Sequence, residues 1–253
     1  MVLHKAKRVV AGIDVGGARK GFHAVALAGG AFLDRFQTCS VSELVRWVCD
    51  DVDAQSVAID APCRWREGRS CRAAELELLT SGIRCFLTPT HQEAKRNTTG
   101  FYRWMLRGAD LFHALEKTHP LCCAAMTAKR RSCFETFPHA ITWHLRGGNA
   151  DAALKRQQRL ALLREYGLRT CSLANMDWID AALCALTADI FAAGHPVRFY
   201  GQRRTGYIVV PLRRAAQKVA QAPASKRRFT LARNRSVRKT ACPTACGLEI
   251  AAR

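Results

Sequence analysis

Residues 9–16, VVAGIDVG, are apolar at successive positions and so on both sides of an extended chain. A strand keeps that pattern when it runs through the middle of a sheet whose two faces are both covered. Asp14 interrupts the run. A carboxylate placed there needs a donor, an opposite charge or a metal ion, so any fold built on this strand has to provide a polar crevice near its end. Turn amides from Gly16 and Gly17 would also satisfy it.

The next segments fix the surroundings of that strand. Residues 22–27 (FHAVAL) and 31–36 (AFLDRF), separated by Gly29-Gly30, read as two strands of a hairpin. Residues 41–51 place Leu44, Val45 and Val48 at helical spacing, and Ser40 or Ser42 supplies a cap. VAID, residues 57–60, is a strand halted by Pro62. A strand-helix-strand unit crosses over right-handedly, which places VAID parallel to the opening strand. Helices are expected at 72–79, 101–117, 140–145, 153–166 and 176–191, a buried strand at 131–138, and an edge strand or covering segment at 206–211.

Asp60 ends the VAID strand and Glu135 sits within CFETF, each an isolated acid in an apolar segment. The carboxyl ends of parallel strands are where open α/β sheets form their crevices, so distant acids can converge there. In the last helix Asp180 lies against the apolar DAALCAL run, whereas Asp177 stands near the amino end, where a capping role suffices. Clustered carboxylates repel one another unless a cation relieves them, and hard oxygen donors suit one or two magnesium or manganese ions. Such ions activate water and stabilise a departing oxygen at phosphorus. GIDVGG is neither GxGxxG nor a Walker loop, and there is no GxSxG elbow or cysteine-histidine motif. His139, beside Pro138, reads as a helix-start residue.

The formal net charge of +20 concentrates polyanions and points to DNA or RNA as partner. Residues 213–253 carry eleven basic residues and one acid, Glu249, and few large apolar side chains, which sets off residues 1–212 as one domain followed by a basic, flexible tail. Cys242 and Cys246, spaced CPTAC without a second pair, are a weak zinc motif. Twelve cysteines scattered through regular segments indicate reduced thiols and a cytoplasmic setting. No secretory leader and no membrane span is expected.

The ordered set GIDVGGARKGFHAVAL, VAIDAP, RSCRAAELELLTSGIRCFLTP, YRWMLRGADLFHAL, FETFPHA and NMDWIDAALCALTAD resembles the family called domain of unknown function 429, across residues 9–211. Its members are described as predicted nucleases with a ribonuclease-H-like fold. The resemblance implies an α/β chain with a mixed central sheet and helices on both faces. It places catalytic and metal-binding roles on Asp14, Asp60, Glu135 and Asp180, accompanied by Asp177. It also makes Arg72 and Glu75 residues of the pocket rim and brings Lys155 toward phosphate, although the first two also read as an exposed helix pair and the third as a solvated charge. Competing readings are a nucleic-acid-binding or scaffold protein without hydrolysis and a nucleotide-binding phosphotransferase or ATPase.

Overall fold

A computed structural model describes residues 8–124 and 130–213. The basic tail and Cys242 and Cys246 lie outside the described residues, apart from Arg213. Seven strands form one sheet: β1 (Val9–Val15), β2 (Phe22–Ala28), β3 (Ala31–Thr38), β4 (Ser56–Asp60), β5 (Ser132–Glu135), β6 (Val197–Gln202) and β7 (Gly206–Pro211), in the order β3-β2-β1-β4-β5-β7-β6. β1, β2 and β3 are antiparallel neighbours, and β4 lies parallel to β1 as the crossover rule requires. β5 and β7 continue in parallel, and β6 pairs antiparallel with β7.

Three local features differ from the sequence expectation. Residues 206–211 are not an edge strand: β7 is inserted between β5 and β6 and is buried almost throughout. The edge is β6, whose sequence VRFYGQ mixes exposed Arg198 with buried Tyr200 and carries too weak an alternation to stand out. The helix expected over 41–51 splits into α1 (Val41–Arg46) and a π-helical turn, Trp47–Asp51.

The helices are α1, α2 (Ala73–Thr80), α3 (His91–Arg96), α4 (Arg103–Leu115), α5 (Pro138–Leu145), α6 (Lys155–Glu165) and α7 (Met176–Ala192). Alternation along the strands divides the core in two. Val10, Ala58 and Phe134 face one side, packed with α2, α5, α6 and α7. Ala11, Ile13, Val57, Ile59 and Cys133 face the other, packed with α1, the π-helical turn and α4. A mixed sheet with helices on both faces is therefore present. α7 is buried on nearly every side, and its first turn is capped by Asn175, whose side chain accepts the Trp178 N–H at 2.9 Å. No disulfide joins the cysteines among the described residues, and among them no helix is long and apolar enough to cross a membrane.

Gly12 sets the distance between α7 and the sheet. A Cβ there would stand 1.9 Å from the Ala185 amide nitrogen and 2.3 Å from the Ala181 carbonyl oxygen, so the helix backbone occupies the space a side chain would take. Both obstructing groups are backbone, and neither can swing aside. Gly12→Ala is expected to lower stability by at least about 3 kcal/mol, through displacement of α7. Gly17→Ala, where a Cβ meets nothing within 4 Å, is expected to leave the thermal midpoint nearly unchanged. Thermal denaturation of the two variants checks this contrast; equal midpoints would show that the helix accommodates the methyl group.

Candidate functional site

Register decides which acids meet. Asp14 pairs with Asp60 across β1 and β4, so the two carboxylates stand side by side at the carboxyl ends of parallel strands. They share the parity of Val10, Gly12 and Ala58 and therefore face α7. Asp180, one helical turn before Cys184, descends from α7 onto the same spot, and its charge acts on both strand acids. Asp14, Asp60 and Asp180, three of the four acids for which the sequence predicts one site, thus lie together.

Burial raises the proton affinity of all three. Asp14 is held well above the ordinary carboxylate range by desolvation, then by the charges of Asp60, Asp180 and Asp177. Asp60 is raised by desolvation and then by Asp180, with Arg159 opposing. Desolvation also raises Asp180, against the pull of Arg159, whose Nη1 donates to it, and of Lys155. Asp177 is paired with Lys20, whose Nζ lies 3.0 Å from its carboxylate. The capping role open to Asp177 belongs instead to Asn175. Cys184 lies against this cluster, and burial followed by the charges of Asp60 and Asp14 keeps its thiol protonated.

Glu135 has a partner of its own. It is in register with Ile59, not with Asp60, so the two side chains leave neighbouring strand ends with opposite parity, although the charge of Glu135 still acts on Asp60. Arg72 donates to both carboxylate oxygens of Glu135 at 2.6 and 2.8 Å, and the Cys63 N–H donates at 2.8 Å. Arg72 and Glu75 are not the solvent-exposed helix pair that the sequence allowed. They are 2% and 1% exposed. Arg72 Nε donates to Glu75 at 2.8 Å, and Glu75 also accepts the Thr88 N–H at 3.0 Å, which fastens the loop after α2. Arg72, Glu75 and Glu135 line a cavity of about 240 Å³ that reaches Asp60.

Lys155 is exposed at the start of α6 but near enough to Asp180 to act on its charge. The sequence reading missed Arg159 and Lys20. Arg159 shares the helical phase of Leu162 and Leu163, which is the signal that this arginine is buried. No local pattern marks Lys20, because its partner Asp177 is brought to it only by packing.

Among the described residues no group of three His, Cys, Asp or Glu side chains is spaced to hold a metal ion as it stands. The donor chemistry fits a hard divalent cation. Lys20 and Arg159 pair with Asp177 and Asp180, which leaves Asp14 and Asp60 as neighbouring desolvated carboxylates without an ion pair among the described residues. Asp180 would be the third donor once freed from Arg159.

The model of a family described as "Protein of unknown function (DUF429)" matches residues 12–205. No curated protein matches the sequence. Similar solved structures include Thermus thermophilus RuvC, at 16% identity and a TM-score of 0.39. The alignment covers 74% of this chain and 96% of that one. T. thermophilus RuvC in complex with a Holliday junction substrate matches at 17% identity with the same TM-score and coverage.

Two outcomes follow from the electrostatics. The folded state holds protons on Asp14 and Asp60 more tightly than the unfolded chain does, so the stability linked to them is complete below the ordinary carboxylate range and is lost as pH rises through the raised folded values. Asp60→Asn removes Asp60's share of that loss and eases Asp14's. The variant's thermal midpoint, in chelator, should equal the wild type's near about pH 4 and exceed it by a growing margin toward about pH 7. A constant or shrinking margin across a pH series would contradict the stated charge state. Arg72→Met leaves Glu135 and Glu75 buried without their cation and is expected to lower stability by about 3–5 kcal/mol, measured by denaturant unfolding.

Proposed function

The chain belongs to the DUF429 family, and on that premise we propose that it is a divalent-metal-dependent phosphodiesterase of ribonuclease-H-like fold that hydrolyses DNA or RNA. The fold reading is supported by the antiparallel β3-β2-β1 run continued by parallel β4 and β5, with helices on both faces. The functional reading is carried by one observation, the in-register pair Asp14 and Asp60 beneath Asp180 in a site that raises the proton affinity of each. A site that disfavours ionised carboxylates so strongly is poised to gain from a cation.

In this reading Asp14, Asp60 and Asp180 hold magnesium or manganese, as one or two ions. The bound metal supplies an activated water and stabilises charge at the phosphate and the departing oxygen. Lys20 holds Asp177, and Arg159 holds Asp180 until the metal competes for it. Glu135 acts as a positioning residue: through Arg72 and the Cys63 N–H it fixes the segment that follows Asp60 at the end of β4. The net charge of +20 supplies the attraction for a polyanion. That same charge favours a second reading, nucleic-acid binding without hydrolysis.

The full chain, with magnesium or manganese, should cleave at least one member of a panel of single-stranded, duplex, hybrid and branched DNA and RNA. Asp14→Asn and Asp60→Asn should each reduce the rate by about 100-fold or more while leaving binding affinity within a small factor. Binding without cleavage above the doubly substituted control, across the whole panel, would replace the phosphodiesterase reading with the binding one.

A further inference from the structure

We infer that the cavity of about 570 Å³ between the starts of α5 and α6 is a phosphate-binding cup that receives an unpaired nucleic-acid strand beside the acidic cluster. The strand's fate there rests on the phosphodiesterase reading, whereas its binding does not.

The cup is cationic through Arg84, Lys155 and Arg159, while His139, whose proton affinity burial and Arg159 lower, lines it as a neutral ring, and the Asp151 carboxylate in its wall is turned to the Ala153 N–H at 2.8 Å. Arg84 and Lys155 are exposed, so their charges are open to a ligand. Arg159 is 6% exposed: Nη1 is given to Asp180, and Nε is buried with no hydrogen-bond partner among the described residues. A buried guanidinium that lines the cavity while one N–H lacks a partner leaves its charge only partly compensated by Asp180. α5 and α6 both begin at this cavity. Neither has a side-chain cap or an acid in its first turn, so their amino-end dipoles add to the same positive field.

The remaining lining separates an unpaired strand from other polyanions. Phe137 and Trp143 are half-buried and share the wall with the cationic groups. Gly82 and Gly148 lie beside the indole without side chains of their own, and the ring keeps part of its surface exposed. Phe137 also lines the cavity that reaches Asp60, and the two are linked by a recess formed by Arg84, Cys85, Phe86 and Phe137. Phe86 is 66% exposed and meets Phe101 edge-on at 5.9 Å. A groove with aromatic faces along its length and cations at one end matches bases that are free to stack and a backbone phosphate. A duplex keeps its bases stacked on each other and cannot use those faces.

Binding is measured by fluorescence anisotropy of a labelled single-stranded oligonucleotide and of a duplex of equal length, with the full chain in chelator so that cleavage cannot contribute. The Arg84→Ala/Lys155→Ala pair alters two exposed side chains, and Lys117→Ala, at the end of α4 on the other side of the sheet, removes a charge away from the cup. The paired variant should bind the single strand about tenfold or more weakly, and its log K against log salt slope should fall by about 1 per lost phosphate contact. Lys117→Ala should leave both values near wild type. Trp143→Leu should weaken single-strand binding about fivefold and leave duplex binding unchanged. Wild-type affinity in the paired variant, or an equal loss in Lys117→Ala, would overturn the cup in favour of diffuse attraction. Equal loss of single-strand and duplex binding in Trp143→Leu would overturn the choice of an unpaired strand. A cup confirmed by binding in a protein that cleaves nothing would leave this inference standing and remove the phosphodiesterase reading; cleavage with unaltered binding in the cup variants would do the reverse.

Discussion

At Gly12 the backbone of α7 rests directly on the backbone of β1, at a separation that leaves no room for a side chain. That contact fixes both the height and the position of the helix along the strand. Because Asp14 follows two residues later on the same face, the helix that covers Gly12 also desolvates Asp14 and sets Asp180 over it. The largest helix of the core and the acidic cluster are therefore products of one packing decision.

The charges around the cluster are unequally compensated. Asp177 has Lys20, Asp180 has Arg159, and Glu135 has Arg72. Asp14 and Asp60, neighbours in register, have no such partner among the described residues. Fully paired acids would make an inert buried network, whereas an unpaired pair leaves a site whose ionised form is unfavourable until a cation arrives. The protein thus concentrates its electrostatic penalty at one place, and the surrounding ion pairs keep the neighbouring acids in position.

Arg72 and Arg159 are both buried against acids of this arrangement. Arg72 is consumed by two carboxylates and closes a polar network that ties α2, the loop at Thr88 and β5 together. Arg159 is only partly consumed, and its remaining N–H lies beside a basic, aromatic-lined cavity. One buried arginine therefore serves structure, and the other stands at the junction between the acidic cluster and the surface.

Much of this was legible in the sequence. Apolar runs on both faces identified β1, β4 and β5, the crossover rule made β4 parallel to β1, and the isolated acids in those strands and in α7 named Asp14, Asp60, Glu135 and Asp180. These are local signals, set by the alternation of a strand, the period of a helix and the rarity of a charge among apolar neighbours. The sequence alone did not say that Glu135 would be tied to Arg72, that 206–211 would lie inside the sheet, or that Arg72 and Arg159 would be buried against acids. The register of β4 and β5 gives Glu135 and Asp60 opposite parity, and register between strands so distant in sequence is decided by how their side chains fill the two cores. Residue type thus determined which groups had to be neutralised, and tertiary packing alone decided which partner each would meet, because an ion pair depends on where distant elements come together.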